Sequence, residues 1–162
     1  MSYNIEVCEV EPQTTAVARG RANSHNIGDK IGQLLSSVWD AVKGSDIKRS
    51  GRSVVLYRCD EAGADFFSES GVPIEAGALV SGGFSDKDDI VRSAVPGGLV
   101  ATTTHAGPYQ NLPAAHQAIQ TWCRENDYVL SGMNWEVYGH YDDHPAALQT
   151  EVFYLMKNGT DK

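Results

Sequence analysis

The sequence predicts an α+β domain built from two similar halves, about residues 3–84 and 90–157, within one domain spanning 1–162. Three observations carry that expectation. Two stretches have helical period, and each is flanked by short runs rich in Val, Thr, Tyr, Phe and Trp. The order strand, turn, strand, helix, strand, strand occurs twice. A shift of 85 residues carries Ile27 onto Leu112, Ala16 onto Ala101 and Leu34 onto Ile119. The likeness is one of pattern rather than of identical residues.

From the N-terminus, residues 4–10 alternate as a strand does, and 14–19 follow after Glu11-Pro12-Gln13. Ile27, Ile31, Leu34, Leu35, Val38, Trp39 and Val42 step by three and four along one helical face. Asn26 stands at the N-cap position, Asp29 near the positive helix end, and Gly44 at the stop. Strand-like runs follow at 53–58, 79–84 and 90–95. Pro96-Gly97-Gly98 then reads as a hairpin turn into 99–105. The second helix carries Leu112, Ala115, Ile119, Trp122 and Cys123, between Asn111-Leu112-Pro113 and Asn126. Residues 134–139 and 150–156 are the closing strands.

The composition, 41% hydrophobic and 9% aromatic, suffices for a packed core, and a net charge of -8 opposes nucleic-acid binding. The densest basic stretch, 43–52, holds four cations and an aspartate and reads as a solvated loop. No run reaches the roughly 18 apolar residues of a membrane span, and the first residues lack the pattern of a signal peptide. Cys8, Cys59 and Cys123 form neither a CxxC pair nor a disulfide framework. They read as small buried hydrophobes in a reducing compartment, which makes the expected location cytoplasmic.

Trp135-Glu136-Val137-Tyr138 is the stretch richest in chemical content. Alternation puts Glu136 and Tyr138 on one face and Trp135 and Val137 on the other. A carboxylate among such neighbours is neutral, or pairs with a cationic ligand, or sits on the wet face of its strand. Spacing leaves all three open. Paired with a cation about 4 Å away it would contribute on the order of 4 kcal/mol at an effective dielectric of 20, and each aromatic ring roughly 0.5–2 kcal/mol more. Glu151 and Phe153 share a face of the last strand, with Glu151 expected at an exposed end. In His105-Ala106-Gly107-Pro108-Tyr109, at a strand–helix junction, Tyr109 either lines a pocket or covers the helix start. His140 and His144 have a spacing that serves a metal only on a helix, and a loop is expected there, so no metal or other cofactor is expected. Neither a P-loop nor a GxGxxG or GxSxG motif occurs.

The duplicated pattern, the Trp135-Glu136-Val137-Tyr138 strand, the Asp142-Asp143-His144-Pro145 loop and the closing Thr150-Glu151-Val152-Phe153-Tyr154-Leu155 strand together resemble the GyrI-like effector-binding family. The His105-to-Tyr109 segment before the second helix is similar too, and the likeness extends over about residues 5–157. It implies βαββ halves related by a pseudo-twofold axis, an antiparallel sheet with two helices, and a groove between the halves. It also implies binding of amphipathic, aromatic or cationic small molecules, in xenobiotic sensing or sequestration. The implied ligand-binding residues are Glu136, Tyr138 and Tyr109, joined by Tyr57 as the first-half counterpart of Tyr138 and by Phe153 on the adjoining strand. The alternatives are a hydrolase of strained, cyclopropanoid-type xenobiotics with Glu136 as its catalytic group, and a gyrase-interacting protein. The chain is expected to be a stand-alone member that does not contact DNA.

Overall fold

The computed structural model describes residues 3–43, 48–60, 63–81, 90–139 and 148–157. Eight strands form one antiparallel sheet: β1 (Glu6–Val10), β2 (Gln13–Ala22), β3 (Lys48–Arg58), β4 (Val72–Ser81), β5 (Val91–Val95), β6 (Gly98–Ala106), β7 (Leu130–Tyr138) and β8 (Gln149–Met156). Helices α1 (Ile27–Lys43) and α2 (Leu112–Glu125) follow β2 and β6. They begin at the two positions that the 85-residue shift superposes.

The sheet order is β1-β6-β8-β7-β3-β4-β2-β5. It is unchanged when β1 is exchanged with β5, β2 with β6, β3 with β7 and β4 with β8. At its centre Val54 faces Val137, Val55 faces Glu136 and Leu56 faces Trp135. A twofold rotation there carries Tyr57 onto Tyr138 and exchanges Val55 with Glu136, so that the axis passes between these two.

The expected hairpins do not form. β1 pairs with β6, and β5 pairs with β2. In a flat sheet β1 and β2 would stand six strand spacings apart, about 29 Å. Yet only residues 11 and 12 join them, a reach of about 10 Å. The sheet must therefore curl until its two ends meet. The two connections cross in contact: a Cβ at Gly97 would lie 2.5 Å from Pro12 Cδ, so only glycine fits. Inside the curl lies one apolar cluster, with Val54, Leu56, Leu79, Val95, Val100, Trp135 and Val137.

Both helices lie on the outer face. Val38 and Val42 of α1 pack on Ala16, Ala18 and Ala78, while Leu112, Ala115, Ile119 and Cys123 of α2 pack on Ala101, Val152 and Tyr154. Asn26 does precede α1, but its Oδ1 accepts from the Asn23 backbone N–H at 2.8 Å. In return, Asn23 Oδ1 accepts from the N–H groups of His25 and Asn26. The turn closes on itself instead of capping forward into the helix. Asn111 precedes α2 with no side-chain cap, after a single 3-10 turn over Tyr109–Asn111. The proposed stop at Gly44 and the histidine pair at 140 and 144 lie outside the described residues.

Further expectations need correction. Cys8 and Cys59 are exposed, and only Cys123 is buried. β7 starts at Leu130, four residues before the predicted run, and β4 begins at Val72 rather than at 79. β4 escapes the pattern because it carries Pro73, Glu75 and Gly77. A Cβ at Gly77 would lie 1.9 Å from the Ala16 carbonyl oxygen. Glu75 is buried, and its Oε2 accepts from Arg19 Nε at 3.0 Å and from Arg58 at 3.2 and 3.0 Å. Ser93 donates to Oε1 at 2.6 Å. Glu151 is on an interior strand, not an edge, and is paired with Arg52 at 2.6 Å.

Burial alone would raise the Glu75 carboxyl, but the Ser93 hydroxyl and the Arg58 and Arg19 guanidiniums outweigh it and hold the carboxyl below its ordinary range. A depressed native value stabilises the fold above the unfolded carboxylate range, about pH 4.3, and that contribution is lost as pH falls below it. Urea unfolding of Glu75→Gln should therefore show a flatter loss of stability below about pH 4.3 than the unsubstituted protein does. Parallel acid limbs would contradict the pairing.

Candidate functional site

Glu136 is buried, 3% exposed, near the C-terminal end of the central strand β7, on the outer, helix-bearing face. Tyr57 from β3 and Tyr138 from β7 both donate to its Oε1, at 2.9 and 2.5 Å. His116 from α2 meets Oε2 through Nε2 at 2.6 Å. The other ring nitrogen, Nδ1, lies 2.7 Å from the Tyr154 hydroxyl, to which Gln120 Nε2 donates at 2.9 Å. A carboxylate only accepts, so His116 Nε2 carries a proton. With Gln120 filling the Tyr154 oxygen, the Tyr154 O–H is left to donate to Nδ1, and every donor of the chain has an acceptor.

All three tyrosines are held protonated. Burial raises Tyr57, Tyr138 and Tyr154, and the neighbouring Glu136 charge raises them further. They act as neutral donors across the working pH range.

Beside this network, between α1 and the centre of the sheet, lies a cavity of about 590 Å³. Ile31, Leu35 and Trp39 of α1 form one wall, with Gly28 and Lys43 at the same helical spacing. Tyr109, Tyr138, Gly139 and Ser53 line the rest. This explains why Ile31, Leu35 and Trp39 are only half-buried although they belong to the predicted apolar stripe. The stripe is wider than the sheet can cover, and part of it faces the open space. Trp39 Nε1 donates to Ser53 Oγ at 2.9 Å, which fixes the indole. The Glu136 carboxylate does not line the cavity. It lies behind Tyr138, which turns its hydroxyl to Glu136 and also forms part of the wall.

Tyr109 reaches the cavity because the preceding turn is clamped. His105, fully buried, makes a 3.0 Å hydrogen bond from Nε2 to the Pro108 carbonyl and a 2.9 Å bond at Nδ1 with the Tyr3 hydroxyl. Gly107, at φ 121°, bonds through its N–H to the Leu148 carbonyl at 2.9 Å. Tyr109 then packs edge-on against Tyr138, with ring centroids 5.4 Å apart. It serves as a wall of the cavity and as the start of the turn into α2.

Of the residues singled out in the sequence, Glu136, Tyr57, Tyr138 and Tyr109 come together. Phe153 does not. The register sets it opposite Trp135, and the two rings stack at 5.5 Å inside the curl, on the far face of the sheet. Its neighbour Tyr154 takes the place expected of it. His116 and Gln120 escaped sequence reading, and Trp39 was read only as part of the apolar helix face. The polar pair on α2, four residues apart beside the apolar stripe, was the available signal for the first two.

The GyrI-like small molecule binding domain family matches residues 3–156. No curated protein matches the chain. Among solved structures, EcmrR in a complex with DNA is similar at 17% identity and a TM-score of 0.80, over 98% of this chain and 59% of that one. This chain thus spans somewhat over half of the length of that protein. The EcmrR C-terminal domain alone is 18% identical with a TM-score of 0.73, covering 98% and 99% of the two chains. SAV2435, solved bound to tetraphenylphosphonium, is 12% identical with a TM-score of 0.66 over 99% and 96%.

Proposed function

Because this chain belongs to the GyrI-like small molecule binding domain family, we propose that it takes amphipathic, aromatic and preferably cationic molecules into the cavity beside α1, as a xenobiotic sensor or sequestering protein. The observation that carries this is a buried carboxylate, hydrogen-bonded to two tyrosines and a histidine, next to an apolar and aromatic space of ligand size. Tyr109, Tyr138 and Trp39 line it with aromatic rings, whose faces attract a cation. Glu136 adds attraction through the low-dielectric wall. SAV2435 holds a bulky apolar cation on a similar fold, chemistry that this cavity would suit.

Hydrolysis of strained or electrophilic compounds by Glu136 is less well supported. A general base needs an open lone pair aimed at a water. Here three of the roughly four acceptor positions of the carboxylate are already taken, both of those on Oε1 among them, and both His116 nitrogens are engaged.

Trp39 lines the cavity, so its emission reports occupancy. Titrating tetraphenylphosphonium should quench tryptophan fluorescence saturably, with one site per chain. A linear, non-saturating response matching that of free tryptophan would dispose of the proposal.

A further inference from the structure

We propose that His116 sets the charge preference of this cavity, its protonation state deciding whether the Glu136 charge is offered to a ligand or neutralised within the protein. The proposal deepens the binding reading above and rests on it. The geometry is that of a switchable pair. His116 Nε2 and Glu136 Oε2 are 2.6 Å apart, on α2 and β7, and His116 is partly exposed while Glu136 is not.

The groups facing this pair can be counted element by element. Tyr57 comes from β3, Tyr138 from β7 and Tyr154 from β8, all kept neutral by raised ionisation. The thiols of Cys59 and Cys123 lie near Tyr154, and burial raises that of Cys123. Gln120 is the neighbour on α2 itself, and from α1 Lys43 reaches the cavity wall with a fixed positive charge. Histidine is the side chain whose charge changes between about pH 5 and 8.

With His116 neutral, the hydrogen bonds run in one direction. Gln120 donates to Tyr154, Tyr154 to Nδ1, and Nε2–H to the carboxylate. The pair then carries one net negative charge, felt by a cation in the cavity. A second proton on Nδ1 reverses the Tyr154 contact and strips the Tyr154 hydrogen of its acceptor. It also makes the pair neutral overall, so a cationic ligand loses its attraction while a neutral one loses nothing.

The test uses the full chain with two probes, tetraphenylphosphonium as a permanent cation and triphenylphosphine oxide as a neutral aromatic, titrated calorimetrically from about pH 8 to about pH 5. The cation should bind about tenfold more weakly at the acidic end, and the neutral probe should change by less than about twofold. His116→Gln keeps an N–H donor toward Glu136 but cannot titrate, so whatever its cation affinity at alkaline pH, that affinity should not change with pH. By linkage, cation binding should also release a proton at slightly acidic pH, read as a heat that depends on the buffer. This second measurement needs no variant. Equal cation affinity at both ends, the same slope in His116→Gln, or no proton release would overturn the proposal. Failure of both probes to bind at alkaline pH would instead remove the binding function, and this proposal with it.

Discussion

Glu136→Ala should lose about 3–5 kcal/mol of folding stability, while Glu136→Gln should lose only about 1–2 kcal/mol. The difference lies in what the neighbours are left holding. In the alanine variant the hydroxyls of Tyr57 and Tyr138 and the His116 Nε2–H all lose their acceptor. Each stranded donor costs about 1–3 kcal/mol, less where water enters from the cavity. Glutamine keeps a carbonyl for both tyrosines. Its amide group donates to Nε2 once the imidazole proton moves to Nδ1, where the Tyr154 oxygen accepts it and only the Tyr154 hydrogen is left without an acceptor. Urea unfolding of the two variants checks this, and an alanine variant within about 1 kcal/mol of the unsubstituted protein would mean that the network is not closed.

Trp135→Ala should be at least as damaging, at about 3–5 kcal/mol. Trp135 is buried, stacks on Phe153, and shares a cluster with Val54, Leu56, Val100 and Val137. That cluster sits where the sheet curls to bring β1 near β2 and β5 near β6, so a cavity there weakens the closure itself. Because Phe153 packs in the same place, Phe153→Ala should also lower the urea midpoint while leaving probe affinity unchanged within about twofold. A Trp135→Ala variant as stable as the unsubstituted protein would show that the inner face is not a packed core.

Much of this was legible in the sequence. Helical period located both helices, and β alternation put Glu136 and Tyr138 on one face and Trp135 on the other. The repeat of pattern led to Tyr57, which meets Glu136 from the neighbouring strand. What alternation cannot give is absolute direction or partnership. Phe153 and Tyr154 alternate as expected, yet only the β7–β8 register decides which one faces Glu136. The hairpins failed for the same reason: a short connection with Pro or Gly suits adjacent strands, and it suits strands brought together by a curled sheet equally well. β4 stayed hidden because its small residues answer a close neighbouring backbone and its glutamate answers two arginines far away in sequence. His116 was missed because its spacing from Gln120 marks a polar helix edge but not its carboxylate partner, 20 residues away on a strand.

The central claim is that the buried carboxylate gives the cavity its taste for positive charge. Calorimetric titration of Glu136→Gln at about pH 8 with the cationic and the neutral probe tests it most directly, since this variant removes the charge while keeping an acceptor for Tyr57 and Tyr138 and a hydrogen bond to His116. Cation affinity should fall by about tenfold or more, with the neutral probe bound as before. Undiminished cation binding in a folded Glu136→Gln protein would contradict the account.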